Sequence, residues 1–135
     1  MYVEDLIIRH FERGRLQAAH SVLIDINERV PGNYRILCKL GVVEMKLGHY
    51  NKAIACLDEA ITMRENSGYA HFMMGIAQYK NKEIDDAQNS FERSLILKPV
   101  NARAHLYLGN LAGAAKRYQQ AEEHFLSTIK INPAL

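Results

Sequence analysis

A motif recurs in this chain at a fixed interval, and this recurrence constrains the fold more than any other feature. The octapeptide AHFMMGIA, residues 70–77, returns in related form as AHLYLGNL, residues 104–111. A weaker echo, ILCKLGVV, occupies residues 36–43, at the same interval upstream. Gly41, Gly75 and Gly109 therefore share one column of a 34-residue alignment. Internal repetition of this length is typical of repeat architectures in which neighbouring units stack on one another.

Four further columns agree with this phase along the whole chain. An alanine column holds Ala19, Ala53, Ala87 and Ala121. Four residues later comes a large apolar column with Leu23, Leu57, Phe91 and Phe125. An apolar column before the glycines holds Leu6, Leu40, Met74 and Leu108. A column near the end of each unit holds Pro31, Glu65, Pro99 and Pro133.

Each unit has the pattern of two helices. Apolar residues recur at helical spacing in NYRILCKLGVVEMKLG, residues 33–48, and again in HYNKAIACLDEAITM, residues 49–63. A glycine inside a helix costs about 1 kcal/mol relative to alanine. Its recurrence predicts a second helix that approaches the first closely, with the alanine column making the contact from the other side. The proline column ends the second helix.

This pattern resembles the tetratricopeptide repeat, a 34-residue helix–turn–helix unit. The resemblance covers the chain as one array of four units, residues 1–33, 34–67, 68–101 and 102–135. It implies an all-α solenoid that winds as a right-handed superhelix, with the first helix of each unit lining a concave face. The first unit departs from the pattern because Ile7 replaces the glycine.

Composition and charge favour a cytoplasmic protein without a membrane span. The chain has 135 residues, of which 48% are apolar, and a net charge of +2, which is small for a nucleic-acid-binding protein. Its two cysteines form no redox or zinc motif. Glu4 and Asp5 lie where a secretion signal would be basic, and no apolar run reaches the roughly 20 residues that span a bilayer.

The sequence contains no pattern that indicates catalysis. Phosphate-binding loops, nucleophile elbows and paired-carboxylate motifs are absent, so we expect neither an enzyme nor a bound cofactor. His71 and His105 share a column, but no third ligand column accompanies them, and we expect partly buried structural residues rather than a metal site. The other histidines are scattered, and we expect surface or packing roles for His10, His20, His49 and His124.

Columns that the packing pattern leaves unused predict the lining of the concave groove. These residues are Arg35, Lys39, Val42, Met45, Tyr69, Phe72, Met73, Ile76, Tyr79, Arg103, Leu106, Tyr107 and Asn110. Because each unit has its own core columns, a further apolar and aromatic face indicates a partner site. We therefore expect Phe72→Ala with Tyr79→Ala to abolish binding and to leave the helix content unchanged.

Charge is segregated along the predicted groove. Acidic residues collect in the first unit, at Glu4, Asp5 and Glu12. Basic residues follow in the later units, at Arg35, Lys39, Lys46, Lys80 and Arg103. This arrangement favours an elongated ligand whose acidic end lies toward units two to four, with charge steering and orienting the ligand.

These features favour a non-enzymatic scaffold that binds an apolar or amphipathic protein segment, as a helix or an extended peptide. Some members of the family that this chain resembles bind the carboxyl termini of chaperones through a clamp of polar residues. That role is disfavoured because Cys38, Val42, Met73 and Tyr107 replace polar clamp residues. One alternative is single-stranded RNA binding by stacking on tyrosines, which the small net charge disfavours.

Self-assembly is a further alternative, in which the groove of one copy is filled by another copy. The sequence also predicts homo-oligomers through the C-terminal end. The apolar residues expected where a fifth unit would pack are Ile129, Ile131 and Leu135.

Overall fold

The structure, a computed structural model, describes the backbone of residues 2–135 and the side chains of residues 12–135. This part of the chain contains helices and no strands. The helices are α1 (Tyr2–Arg29), α2 (Tyr34–Lys46), α3 (Tyr50–Met63), α4 (Gly68–Lys80), α5 (Ile84–Leu97), α6 (Ala102–Ala114) and α7 (Tyr118–Ile131). They fall into an N-terminal unit, Met1–Arg64, with α1–α3, and a C-terminal unit, Glu65–Leu135, with α4–α7.

Polar caps start the first helix of each repeat from the second onward. Asn33, Ser67 and Asn101 precede α2, α4 and α6 and share one column of the repeat. Each accepts a hydrogen bond, through its side-chain oxygen, from the backbone N–H three residues later, at 3.1 Å. Loss of such a cap typically costs about 1 kcal/mol. The repeat period therefore fixes helix starts as well as packing positions.

Left-handed residues end the same three helices. The turns after α2, α4 and α6 contain Gly48, Lys82 and Lys116, whose φ angles are 84°, 64° and 63°. Gly14 occupies the same column, but it lies inside α1 and its backbone is helical. The expectation of two helices in the first unit is thus wrong, because residues 2–29 form one continuous helix. The single-array organisation of all four units stays a prediction.

The glycine column lets the two helices of a repeat come into close contact, as expected. A Cβ atom added at each glycine would lie 3.0 Å or less from a large side chain of the second helix: Gly41 meets Leu57 (2.8 Å), Gly75 meets Phe91 (2.7 Å) and Gly109 meets Phe125 (2.5 Å). Real Cβ contacts are essentially never this short. The side chain nearest to each glycine thus belongs to the large apolar column, four residues after the alanine column.

The alanine column is nevertheless part of the core. Ala53 and Ala87 have no exposed surface, and Ala121 is 5% exposed. Hydroxyl groups add a polar tie between the two helices of a repeat in the C-terminal unit. Ser94 Oγ donates to the carbonyl oxygen of Gly68 at 2.9 Å, and the equivalent Thr128 hydroxyl donates to a carbonyl oxygen at the start of α6. These bonds fix the end of each second helix beside the start of its partner.

Candidate functional site

Four aromatic rings join α4, α5 and α6 in the C-terminal unit. Phe91 of α5 stacks on Tyr107 of α6, with 4.8 Å between ring centroids and 10° between ring planes. Two rings of α4 meet Tyr107 edge-on, Tyr79 at 5.4 Å and Phe72 at 6.3 Å. Phe72 also lies 5.9 Å from Phe91. These four residues, the aromatic cluster, connect α4, α5 and α6 through ring contacts.

Burial removes three of the predicted groove residues from the accessible surface. Met45 is 6% exposed, Phe72 7% and Ile76 4%. Phe72 is buried because Tyr107 and Phe91 close over it. The expectation that Phe72→Ala with Tyr79→Ala leaves the fold intact is therefore corrected, since both rings belong to the packing between helices.

The remaining predicted groove residues keep accessible surface. Exposed ones in the N-terminal unit are Arg35 and Lys39, and in the C-terminal unit Tyr69, Arg103 and Asn110. Half-buried ones are Val42, Met73, Tyr79, Leu106 and Tyr107. That these residues bind a partner stays a prediction.

One surface of the C-terminal unit combines an aromatic platform with an exposed positive charge. We call it the α4–α6 face and define it by Tyr69, Met73, Arg103, Tyr107 and Asn110. Tyr69 and Met73 lie one turn apart on α4, and the other three lie at helical spacing on α6. Tyr69 is 53% exposed.

The guanidinium of Arg103 joins this face to the buried rings beneath it. Its Cζ atom lies over the Phe72 ring, 5.5 Å from the ring centroid. A cation in this position is attracted by the electron-rich face of the ring. The arginine side chain is itself exposed to solvent.

The predicted C-terminal contact surface is partly exposed. Ile129 is 55% exposed and Leu135 50%, whereas Ile131 is half-buried. Acidic residues of the first unit are described only in part, because Glu4 and Asp5 lie outside the described side chains. Glu12 is exposed and shares an open cleft with both Arg15 and Lys46. The side of α1 that the structure describes is therefore mixed in charge rather than purely acidic.

A buried carboxylate and two histidines form a cluster in the N-terminal unit that sequence reasoning missed. Glu44 of α2 is 3% exposed. Its Oε1 atom lies 3.0 Å from His49 Nδ1, within hydrogen-bond geometry. His20 Nε2 of α1 lies 2.8 Å from the same oxygen, at ion-pair distance but out of line for a hydrogen bond. The cluster attaches α1 to the α2–α3 turn.

A second histidine pair lies between α6 and α7. His105 Nδ1 is 3.2 Å from His124 Nδ1, so one ring must donate to the other. Burial lowers the pKa of His105, and the neighbouring His124 lowers this pKa further. His71 and His105 are partly buried, as expected. Neither histidine cluster could be found from the repeat columns, because the members of each cluster fall in different columns.

Neither cysteine is prepared for nucleophilic chemistry. Burial raises the pKa of Cys56 to about 11, and the carboxylates of Glu44 and Glu59 contribute to this rise. Burial also raises the pKa of Cys38, although Tyr34 and Arg64 act in the opposite direction. Both groups are protonated thiols at neutral pH.

The described residues form neither a metal site nor a helix that spans a membrane. No group of three or more His, Cys, Asp or Glu side chains there is arranged to hold a metal ion. Within residues 2–135, no helix has both the length and the apolar character needed to cross a membrane.

Family comparison identifies the repeats. Two models described as tetratricopeptide repeat match residues 34–67 and 72–135. The chain belongs to the tetratricopeptide repeat family. The tetratricopeptide scaffold is typically non-catalytic.

Curated relatives are much longer than this chain. The human protein O-mannosyl-transferase TMTC2 is 31% identical over 72% of the chain, which spans 12% of that protein. The bovine BBSome complex member BBS4 is 26% identical over 84% of the chain, which spans 21% of that protein. The chain thus matches only a small part of the length of each relative.

Solved structures show the same all-α tetratricopeptide solenoid fold. MamA superimposes with a TM-score of 0.83 at 26% identity, covering 93% of this chain and 73% of MamA. YrrB, described as a tetratricopeptide protein with an unusual peptide-binding site, superimposes with a TM-score of 0.80 at 22% identity. That match covers 93% of this chain and 64% of YrrB, and it shows the fold alone.

Proposed function

We propose that this protein is a non-enzymatic interaction scaffold whose α4–α6 face binds a peptide segment with apolar and acidic side chains. The observation that carries this proposal is the exposed Arg103 over the Phe72 ring of the aromatic cluster, with the exposed Tyr69 about one turn before Phe72 on α4. Membership of the tetratricopeptide repeat family supports a protein or peptide as the partner, and YrrB is an example of this fold that is described as having a peptide-binding site.

Rigidity of the platform favours binding. Stacking of Phe91 on Tyr107, and the edge contacts of Tyr79 and Phe72, fix both helices before a ligand arrives. A preordered surface loses less conformational entropy on binding than a mobile one. Tyr69 and Met73 supply an amphipathic ring and an adaptable thioether, which suit a peptide side chain of variable shape.

Arg103 favours an acidic ligand group. Its Cζ atom lies 5.5 Å from the Phe72 ring centroid, and a guanidinium carries five N–H donors in a planar fork. A carboxylate accepts two such donors in parallel. The ligand we propose therefore places a carboxylate at Arg103 and apolar side chains along Tyr69 and Met73.

A random peptide library displayed on phage tests the proposal. Peptides selected on the wild-type protein are synthesised and titrated by fluorescence anisotropy against Tyr69→Ala and Arg103→Ala. Each substitution should weaken binding about tenfold, as expected for an interface anchor worth about 1.4 kcal/mol.

Matched controls lie in the same unit. Tyr118→Ala and Arg117→Ala remove the same side chains from exposed positions at the start of α7, which is not part of the α4–α6 face. Both should bind the selected peptides like the wild type. The proposed site would be contradicted if the α7 variants weakened binding as much as Tyr69→Ala and Arg103→Ala do. Selected peptides without an acidic residue would contradict it as well.

A further inference from the structure

An apolar stripe on α1 lacks the partner that its equivalents have. In the second and third repeats the corresponding second-helix residues have no exposed surface: Ala53, Leu57, Ala60, Ala87, Phe91 and Ser94. On α1 the same columns hold Ala19 and Leu23, both half-buried, and Ile26, which is 36% exposed. We call these three residues the α1 stripe.

The missing partner is the first helix of the repeat. In the later repeats the 13-residue first helix is followed by a turn with a left-handed residue, and the second helix then folds back along the first. In α1 the helix continues through Gly14, so residues 2–13 extend away from the stripe at about 1.5 Å per residue. These residues therefore do not cover the stripe of their own chain.

We propose that α1 of a second copy covers the stripe. The two α1 helices lie antiparallel, and residues 2–13 of each copy lie along the α1 stripe of the other. Each copy thereby supplies the first helix that the other lacks, which is a reciprocal exchange of an identical element. Such a contact is closed and two-fold symmetric, so it stops at a dimer.

Sequence spacing supports this register. In the later repeats each column glycine faces the large apolar residue of the next helix, as Gly41 faces Leu57. The same sequence separation in the first repeat joins Ile7 to Leu23, and the midpoint of this pair is next to Gly14. Apart from its own helix turn, none of the residues whose side chains are described has an atom within 4 Å of a Cβ placed at Gly14, so the centre of the antiparallel pair is open to a second helix.

The glycine column favours a second copy over a fold-back within one chain. Glycine is required at this column because a Cβ would lie 2.7–2.8 Å from the facing side chain in the second and third repeats. Ile7 stands in this column and is incompatible with a hairpin of that closeness. Two separate helices have no connecting turn, and they adopt the wider spacing that larger side chains need.

Disulfide trapping tests the register. In a background with Cys38→Ala and Cys56→Ala, the pair Ile7→Cys with Leu23→Cys is oxidised at several protein concentrations. We expect a disulfide-linked dimer on a non-reducing gel, and a matched pair with Asp25→Cys in place of Leu23→Cys should link poorly. A disulfide within one chain, or no disulfide, would overturn the proposal.

Light scattering tests the interface without cross-linking. The wild-type chain should approach twice its mass of 15.4 kDa as its concentration rises. Ile26→Glu should raise the dimer dissociation constant at least about tenfold, whereas Ile96→Glu, at a 70% exposed position in α5, should leave it unchanged. A monomeric wild type, or a dimer that survives Ile26→Glu with its helix content intact, would contradict the exchange of α1.

Discussion

The first repeat and the second share the same columns but fold differently. Gly14 and Gly48 occupy one position of the 34-residue pattern, yet Gly48 turns the chain at φ 84° and Gly14 lies within a 28-residue helix. The two repeats differ in the glycine column before the turn. The second repeat has Gly41 there, which packs against Leu57, whereas the first repeat has Ile7. A turn glycine permits a hairpin, but close packing between the helices stabilises it.

The comparison predicts its largest effect in the alanine column. Ala87 has no exposed surface, so Ala87→Arg overpacks the contact between α4 and α5 and buries a charge. This change should cost several kcal/mol. Ala19→Arg, at the half-buried equivalent on α1, should cost much less in dilute protein. Urea unfolding measures both, and equal costs would show that the first repeat is packed like the third.

A second comparison within one column concerns Phe72 and Leu106. Phe72 is buried under the aromatic cluster, and Phe72→Ala should destabilise the chain by about 3–5 kcal/mol. Leu106 is half-buried, so Leu106→Ala should cost distinctly less. Thermal unfolding followed by circular dichroism checks the order, and a folded Phe72→Ala variant of wild-type stability would return Phe72 to the accessible surface.

Sequence columns could predict contacts that repeat, such as Gly75 against the large apolar column, because the repeat spacing places equivalent atoms together. They could not predict burial within a column. Phe72 and Leu106 share a column but differ in exposure, and Phe72 has the rings of Tyr107 and Phe91 packed against it. The contact of Glu44 with two histidines was also beyond the columns, because it depends on how α1 lies against α2.

The turn column should give effects of about 1 kcal/mol with opposite signs. Gly14→Ala adds a better helix former at an open position and should stabilise α1 by about 0.5–1 kcal/mol. Gly48→Ala places a side chain in the left-handed region and should destabilise the chain by about 1–2 kcal/mol. Chemical denaturation compares the two, and destabilisation by Gly14→Ala would indicate a hairpin in the first repeat.

The smallest effect should come from the histidine pair of the C-terminal unit. Because the pKa of His105 is lowered in the folded state, the unfolded state takes up the proton first as the pH falls. The contribution of His105 to the free energy of unfolding is therefore fully present above about pH 6.5, and it is lost as the pH falls through the lowered pKa. His105→Gln should flatten this part of the profile of unfolding free energy against pH, and an unchanged profile would exclude His105 as its source.

Nuclear magnetic resonance tests most directly the claim that the α4–α6 face binds a peptide. A peptide selected on the wild-type protein is added to isotope-labelled protein, and the methyl resonance of Met73 and the side-chain resonance of Arg103 are followed. We predict saturable shifts at these two residues and at Tyr69, with Tyr118 on α7 unchanged. Shifts confined to α7 or to α1, with Met73 and Arg103 unaffected, would contradict the account.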